Sequence, residues 1–146
     1  VIYDSFKPKI ADGFHVHNQG EKFCIIATGF MVHSALEVVD MISKDGIKLG
    51  LIDLFNLTNF NDTKLESIMT GYSGIISLEE GFRGRGGLDS MLFEFTSRRD
   101  LDVKILNIGV EPGYSFELGT RSELHEKVGI GVNSILSQIR SFFKKI

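Results

Sequence analysis

The stretch GIISLEEGFRGRGGLDSMLFEF, residues 74–95, decides how the chain is read. Gly74 to Leu78 form a continuous apolar run, the pattern of a strand buried on both faces. Leu88, Met91, Leu92 and Phe95 recur at helical spacing and put one apolar stripe on a helix. Between them lie two acids, two arginines and four glycines, the segment EEGFRGRGG at residues 79–87. By composition it looks like an RNA-binding Arg-Gly-Gly box, by spacing like a phosphate-cradling glycine loop, and by context like a turn from strand to helix.

The three readings separate on physical grounds. An Arg-Gly-Gly box belongs to repetitive basic tracts, whereas here one copy sits in a chain of net charge −3 and pI about 5.8. Gly84 and Gly86 give Gly-x-Gly before a helix N-terminus, but a dinucleotide fingerprint needs glycine at position 89, which is Asp89. A carboxylate there repels pyrophosphate, and the Gly-Lys-Ser/Thr of a Walker loop is absent. The reading that remains is a strand end, a tight glycine turn and a helix start. Glu79 and Glu80 then stand at the carboxyl edge of a strand, where open α/β sheets carry ligands. Being adjacent on a strand, they point to opposite faces and make no catalytic pair.

The same alternation runs outward in both directions. Phe23 to Thr28 and Ile47 to Phe55 read as buried strands, and Asp102 to Gly109 as a fourth. Val32, Ala35, Leu36, Val39 and Ile42 give a helix ending at Gly46. Thr63 with Glu66, and Thr120 with Glu123, are capping-box pairs that start two short helices. The last helix carries Val132, Ile135, Leu136, Ile139, Phe142 and Phe143 on one face. Phe14 to His17 alternates and reads as an edge strand, joined to Phe23–Thr28 by a short turn and therefore expected to pair with it antiparallel. The fold class is α/β: a three-layer α/β/α arrangement around a five-stranded, mostly parallel sheet with one antiparallel edge strand. Residues 1–13, with Pro8 and Asp12-Gly13, read as a linker or the end of a preceding domain, and residues 14–146 as one domain.

The 146 residues are 42% hydrophobic and 24% charged, and that length can enclose a real core. One cysteine, Cys24, builds no disulfide framework and reads as core. No apolar run is long enough for a membrane helix and no signal pattern opens the chain, so we expect a cytoplasmic protein with neither membrane nor nucleic acid as partner. The chain starts at Val1, which reads as a fragment, a processed product or a separate subunit. His15 and His17 share a strand face but lack a third and fourth metal ligand by spacing. His33 and His125 have no nucleophile or acid partner by spacing. No catalytic, cofactor-binding or metal-binding residue is assigned. Glu79, Glu80, Phe82, Arg83 and Arg85 are the candidates for contact with a neighbouring domain or subunit, or for strand-end contact.

The motifs in this order resemble the C-terminal domain of the transketolase family of thiamine diphosphate enzymes. SLEEGFRGRGG (77–87) is similar to the strand, Glu-Glu-Gly-aromatic and glycine-rich helix entry of pyruvate dehydrogenase beta subunits. ILNIGVEPGYSFELGTRSELHEKVGIGVNSI (105–135) is similar to the tail of 1-deoxyxylulose-5-phosphate synthases and transketolases. ATGFMVHSALEVVDMI (27–42) and IDLFNLTNFND (52–62) resemble the family's first strand and helix and its second strand and loop. The resemblance covers residues 14–146. Leu88 replaces a second glycine common in the family, and residues 59–62 lack its common proline. The resemblance implies that thiamine diphosphate and Mg²⁺ are bound elsewhere, between a pyrophosphate and a pyrimidine domain across a homodimer. This domain would give packing and dimer contacts, and no catalytic residue carries over. Two alternatives stand beside that reading: the equivalent domain of a 2-oxoacid dehydrogenase beta subunit, and a non-catalytic module binding a small anion at the strand ends.

Overall fold

A computed structural model describes residues 2, 3 and 8–146 of the chain. Five strands form one sheet in the order β1-β3-β2-β4-β5. They are β1 (His15–Asn18), β2 (Phe23–Ala27), β3 (Leu49–Asp53), β4 (Gly74–Phe82) and β5 (Lys104–Val110). The pairs β3–β2, β2–β4 and β4–β5 are parallel, and β1 runs antiparallel at one edge. The intervening helices are α1 (Met31–Ser43), α2 (Asp62–Met69) and α3 (Leu88–Arg98); α4 (Arg121–Lys127) and α5 (Val132–Phe143) follow the last strand. A single 3₁₀ turn, Ile10–Asp12, precedes β1.

Every residue of β2 and β3 is buried, which is why β2 reads as an unbroken apolar run and β3 as one interrupted only by Asp53 at its end. Alternate side chains supply two separate cores. Ile25, Leu51, Ile76 and Leu78 pack against α1 and α5, while Ile26, Ile52, Leu54 and Ile75 pack against α2 and α3. Each fully buried Leu or Ile contributes roughly 1.5–3 kcal/mol of transfer free energy, so this double burial holds the three layers together. On α5 the buried face is Ile135, Leu136 and Ile139, within the expected stripe. On α1 the stripe is rotated from the expected one: Met31 and Val38 are buried, whereas Leu36 is exposed.

Three expectations need correction. The edge strand β1 is antiparallel, but its partner is β3, with His15 opposite Asp53 and Val16 opposite Ile52. A short turn implies adjacency only when it cannot reach further. Residues 19–22, extended, span about 14 Å, and two strand spacings are only about 9.6 Å. The segment passes the start of β3: Glu21 N–H donates to the Lys48 carbonyl at 3.0 Å, and a Cβ on Gly20 would lie 2.2 Å from Gly50 N. The start of α2 is also different. Asn61, not Thr63, is the cap, its side chain accepting from Lys64 N at 3.1 Å. Asn61 N–H is held by the Asp12 carbonyl at 2.9 Å, which fixes the helix start two residues earlier than Thr63 would. Finally, β4 does not stop at Leu78 but runs on to Phe82, with Phe82 opposite Val110 of β5. The Thr120–Glu123 capping box is present, and Gly129, at φ +82°, closes the turn after α4. The linker reading of residues 1–13 falls partly on residues 1 and 4–7, which lie outside the described residues.

Candidate functional site

The carboxyl edge of the sheet gathers the sequence candidates. Glu79 and Glu80 are successive residues of β4 and take opposite environments: Glu79 is 5% exposed, and Glu80 stands in solvent. The Glu79 carboxylate turns under the start of α3, where Oε2 accepts from Leu88 N and Oε1 from Asp89 N, both at 3.0 Å. Two of the amides left without partners at a helix N-terminus are thereby satisfied, and the charge sits where the helix dipole favours it. Asp89, also buried, reaches back to accept from Gly84 N at 2.6 Å, and the Ser90 hydroxyl accepts from Gly86 N at 3.0 Å.

The glycines of the turn exist for this arrangement. Gly84 and Gly86 lie at φ +66° and +87°, the left-handed region that favours glycine. Gly87 makes room instead: a Cβ there would lie 2.1 Å from Glu79 Oε2. The anion-binding end of α3 is therefore filled by the protein's own carboxylate, and Asp89 ties the loop that a phosphate would need to enter.

The remaining candidates face outward. Glu80 Oε1 lies 2.8 Å from His125 Nε2 and 3.7 Å from Arg121 Nη1. Phe82 is half-exposed, and Arg83 pairs with Glu111 while its own N–H donates to the Val110 carbonyl at 2.9 Å. Arg85 has no ion-pair partner among the described residues. The Arg121 guanidinium lies 4.2 Å from the Phe30 ring centroid, and a cleft of about 390 Å³ opens between the starts of α1, α4 and α5 beside it. His33 and His125 both flank Phe30, at 5.4 and 5.8 Å between centroids.

Sequence reasoning missed a second polar cluster at the β1 edge. Tyr3 donates its hydroxyl to Asp53 Oδ2, and its ring meets those of His15 and His17 at 5.9 and 5.8 Å. Asp53 is 4% exposed, and burial pushes its carboxyl above the usual range, a rise that the Tyr3 hydrogen bond and the two histidines partly offset. Burial, with the Asp53 carboxylate beside it, raises the Tyr3 hydroxyl, and burial with the neighbouring His15 lowers His17. The available signal was an aspartate inside an otherwise apolar strand, LGLID at 49–53. Cys24 is core, as expected; burial pushes its thiol well up, which makes it inert.

Among the described residues no three His, Cys, Asp or Glu side chains converge as metal ligands. The acids at the carboxyl edge do not fit a Mg²⁺-diphosphate either, because Glu79 and Asp89 already accept from backbone amides and Glu80 faces Arg121 and His125. No helix of the described residues is long and apolar enough to cross a membrane.

Comparison with known proteins finds relatives over most of the chain. Residues 13–135 match the family model described as transketolase, C-terminal domain. The 1-deoxy-D-xylulose-5-phosphate synthase of Aquifex aeolicus (strain VF5) is 28% identical over 126 residues, 86% of this chain and 20% of that protein. The synthase of Chlamydia abortus (strain DSM 27085 / S26/3) is also 28% identical over 126 residues, 86% of this chain and 19% of its own length. Among solved structures, a split-gene transketolase in an inactive β4 tetramer superposes with a TM-score of 0.78 at 24% identity, over 90% of this chain and 42% of that one. Transketolase from Campylobacter jejuni gives 0.69 at 18% identity, over 92% of this chain and 20% of its own. At those identities the structural matches show the fold alone. The chain spans about a fifth of the length of the curated relatives it matches.

Proposed function

The chain belongs to the transketolase C-terminal domain family, and we propose that residues 14–146 act as the C-terminal domain of a thiamine diphosphate enzyme, giving packing and dimer contacts rather than catalytic groups. One observation carries this reading: the buried acids at the carboxyl edge are spent on the domain's own backbone. Glu79 and Asp89 close the turn into α3 and leave that helix end without an open anion site.

The chemistry of the complete enzyme is read from its relatives. The matched relatives named above are 1-deoxy-D-xylulose-5-phosphate synthases, so condensation of pyruvate with an aldehyde phosphate is the favoured reaction, with two-carbon ketol transfer between sugar phosphates the other. Thiamine diphosphate, bound by the complete enzyme, would supply carbanion stabilisation. It and Mg²⁺ would lie between pyrophosphate and pyrimidine domains, those domains being the partners of this chain in a cytoplasmic homodimer. The solvent-facing residues Phe82, Arg83 and Arg85, with Glu80, are the contact residues we assign to that assembly. A small anion at the strand ends is less favoured, because Arg121 is occupied by the Phe30 face and by Glu80.

The test is synthesis of 1-deoxyxylulose 5-phosphate from pyruvate and glyceraldehyde 3-phosphate with thiamine diphosphate and Mg²⁺. The isolated chain is expected to be inactive, and addition of the cognate polypeptide carrying the pyrophosphate and pyrimidine domains is expected to give turnover. Turnover by the 146-residue chain alone would sink the proposal.

A further inference from the structure

The connection from β5 to α4, residues 111–120, places its largest apolar side chains in water. Tyr114, Phe116 and Leu118 are 95%, 91% and 93% exposed. They alternate in sequence with Ser115, Glu117 and Gly119, and the Tyr114 and Phe116 rings stack at 6.5 Å. Together they present roughly 500 Å² of side-chain surface, at 150–250 Å² for a large aromatic. That matches the largest patch an ordinary monomer tolerates, concentrated in five residues.

The segment is also held in place. Arg83 pairs with Glu111 at its start, Lys127 of α4 pairs with Glu117 in its middle, and the Thr120 hydroxyl and N–H both engage Glu123 at its end, each at 2.8 Å. Ser115 and Glu117 line a shallow cleft with Leu124 and His125, and the Glu117–Lys127 pair ties the segment to α4. A free loop would fold its aromatics inward; this one is tied by the alternate residues. Residues 112–119 make no backbone–backbone hydrogen bond among the described residues, which leaves their backbone groups open beside the exposed apolar side chains. A segment with exposed apolar anchors and open backbone groups is a form of chain that docks into an apolar groove.

We propose that residues 111–119 are a preformed docking arm that inserts Tyr114, Phe116 and Leu118 into an apolar groove on another domain of the complete enzyme. The occupant follows from length: the matched synthases are about five times as long as the segment this chain aligns with, so most of the surface such an arm meets lies in the other domains. Phe82, half-exposed, lies opposite Val110 at the root of the arm. The arm rests on the proposed function and gives it a specific surface.

The test compares the wild-type chain with the triple variant Tyr114→Ser, Phe116→Ser, Leu118→Ser, titrated by calorimetry into the cognate polypeptide carrying the pyrophosphate and pyrimidine domains. All three side chains are in water, so the variant keeps the circular dichroism and melting temperature of the wild type. Loss of at least about 100-fold in affinity supports the arm, as expected for three central anchors. Equal affinity of the two chains overturns the arm and leaves the proposed function standing. No binding by the wild type overturns the proposed function itself. A wild-type chain that dimerises alone, and a variant that does not, overturns the stated occupant in favour of a second copy; sedimentation velocity reads that outcome.

Discussion

Replacing Glu79 by glutamine removes one charge from the turn between β4 and α3 and changes almost no volume. The wild-type carboxylate accepts two backbone hydrogen bonds at 3.0 Å in a buried site. A hydrogen bond to a charged group is worth roughly 1.5–3 kcal/mol, and a buried donor left unmatched costs roughly 1–3 kcal/mol. Glutamine keeps one neutral acceptor and turns its NH₂ toward the second amide, so one bond weakens and one is lost. The net cost is about 3 kcal/mol, which in a domain of this size lowers the melting temperature by roughly 6–12 °C. Urea unfolding measures it as a fall in midpoint at unchanged slope. The control is Glu80→Gln, one residue along the same strand, where a solvent-facing pair is worth less than about 1 kcal/mol. A loss below about 1 kcal/mol for Glu79→Gln, or equal losses for the two variants, would refute the capping role.

Other perturbations test neighbouring parts of the account. Gly87→Ala places a methyl against a carboxylate held by two hydrogen bonds, and is expected to destabilise by about 1–3 kcal/mol in the same urea assay. Asp53 should make stability depend on pH. Its carboxyl is raised above the ordinary value near 3.8, so its contribution is fully present below that value and is lost as pH rises through the folded-state value. Asp53→Asn is therefore expected to flatten the decline in stability above pH ~4, and a variant whose pH curve parallels the wild type would contradict this. Gly74→Ala drives a methyl to 2.7 Å from Phe23 and 3.0 Å from Phe142, and should loosen α5 from the sheet, measured as faster amide exchange in residues 132–143.

The parts of the fold legible in the sequence are those set by local period. FCIIA and LGLID are buried on both faces and show it as apolar runs, broken only by Asp53; α5 shows its stripe at 3.6-residue spacing. The Thr120–Glu123 box spans four residues and needs no distant partner. What escaped the sequence depends on residues far apart in the chain. The β1 edge meets β3 because a four-residue connector reaches two strand spacings, a fact of geometry that composition does not carry. Glu79 looked like the last residue of a strand and a surface contact, since its helix-amide partners lie nine and ten residues on. Tyr3 and Asp53 are fifty residues apart. Tyr114, Phe116 and Leu118 did show their alternation, but a period of two does not distinguish a buried strand from an extended arm in solvent.

The division of labour within the complete enzyme is the central claim, and binding of the cofactor tests it most directly. Calorimetric titration of thiamine diphosphate with Mg²⁺ into the isolated chain should give a flat trace, and the same titration into the chain assembled with the pyrophosphate and pyrimidine domains should give a saturable isotherm. A saturable isotherm with the isolated chain would contradict the account, because it would place a cofactor site among residues whose carboxylates are committed to their own backbone.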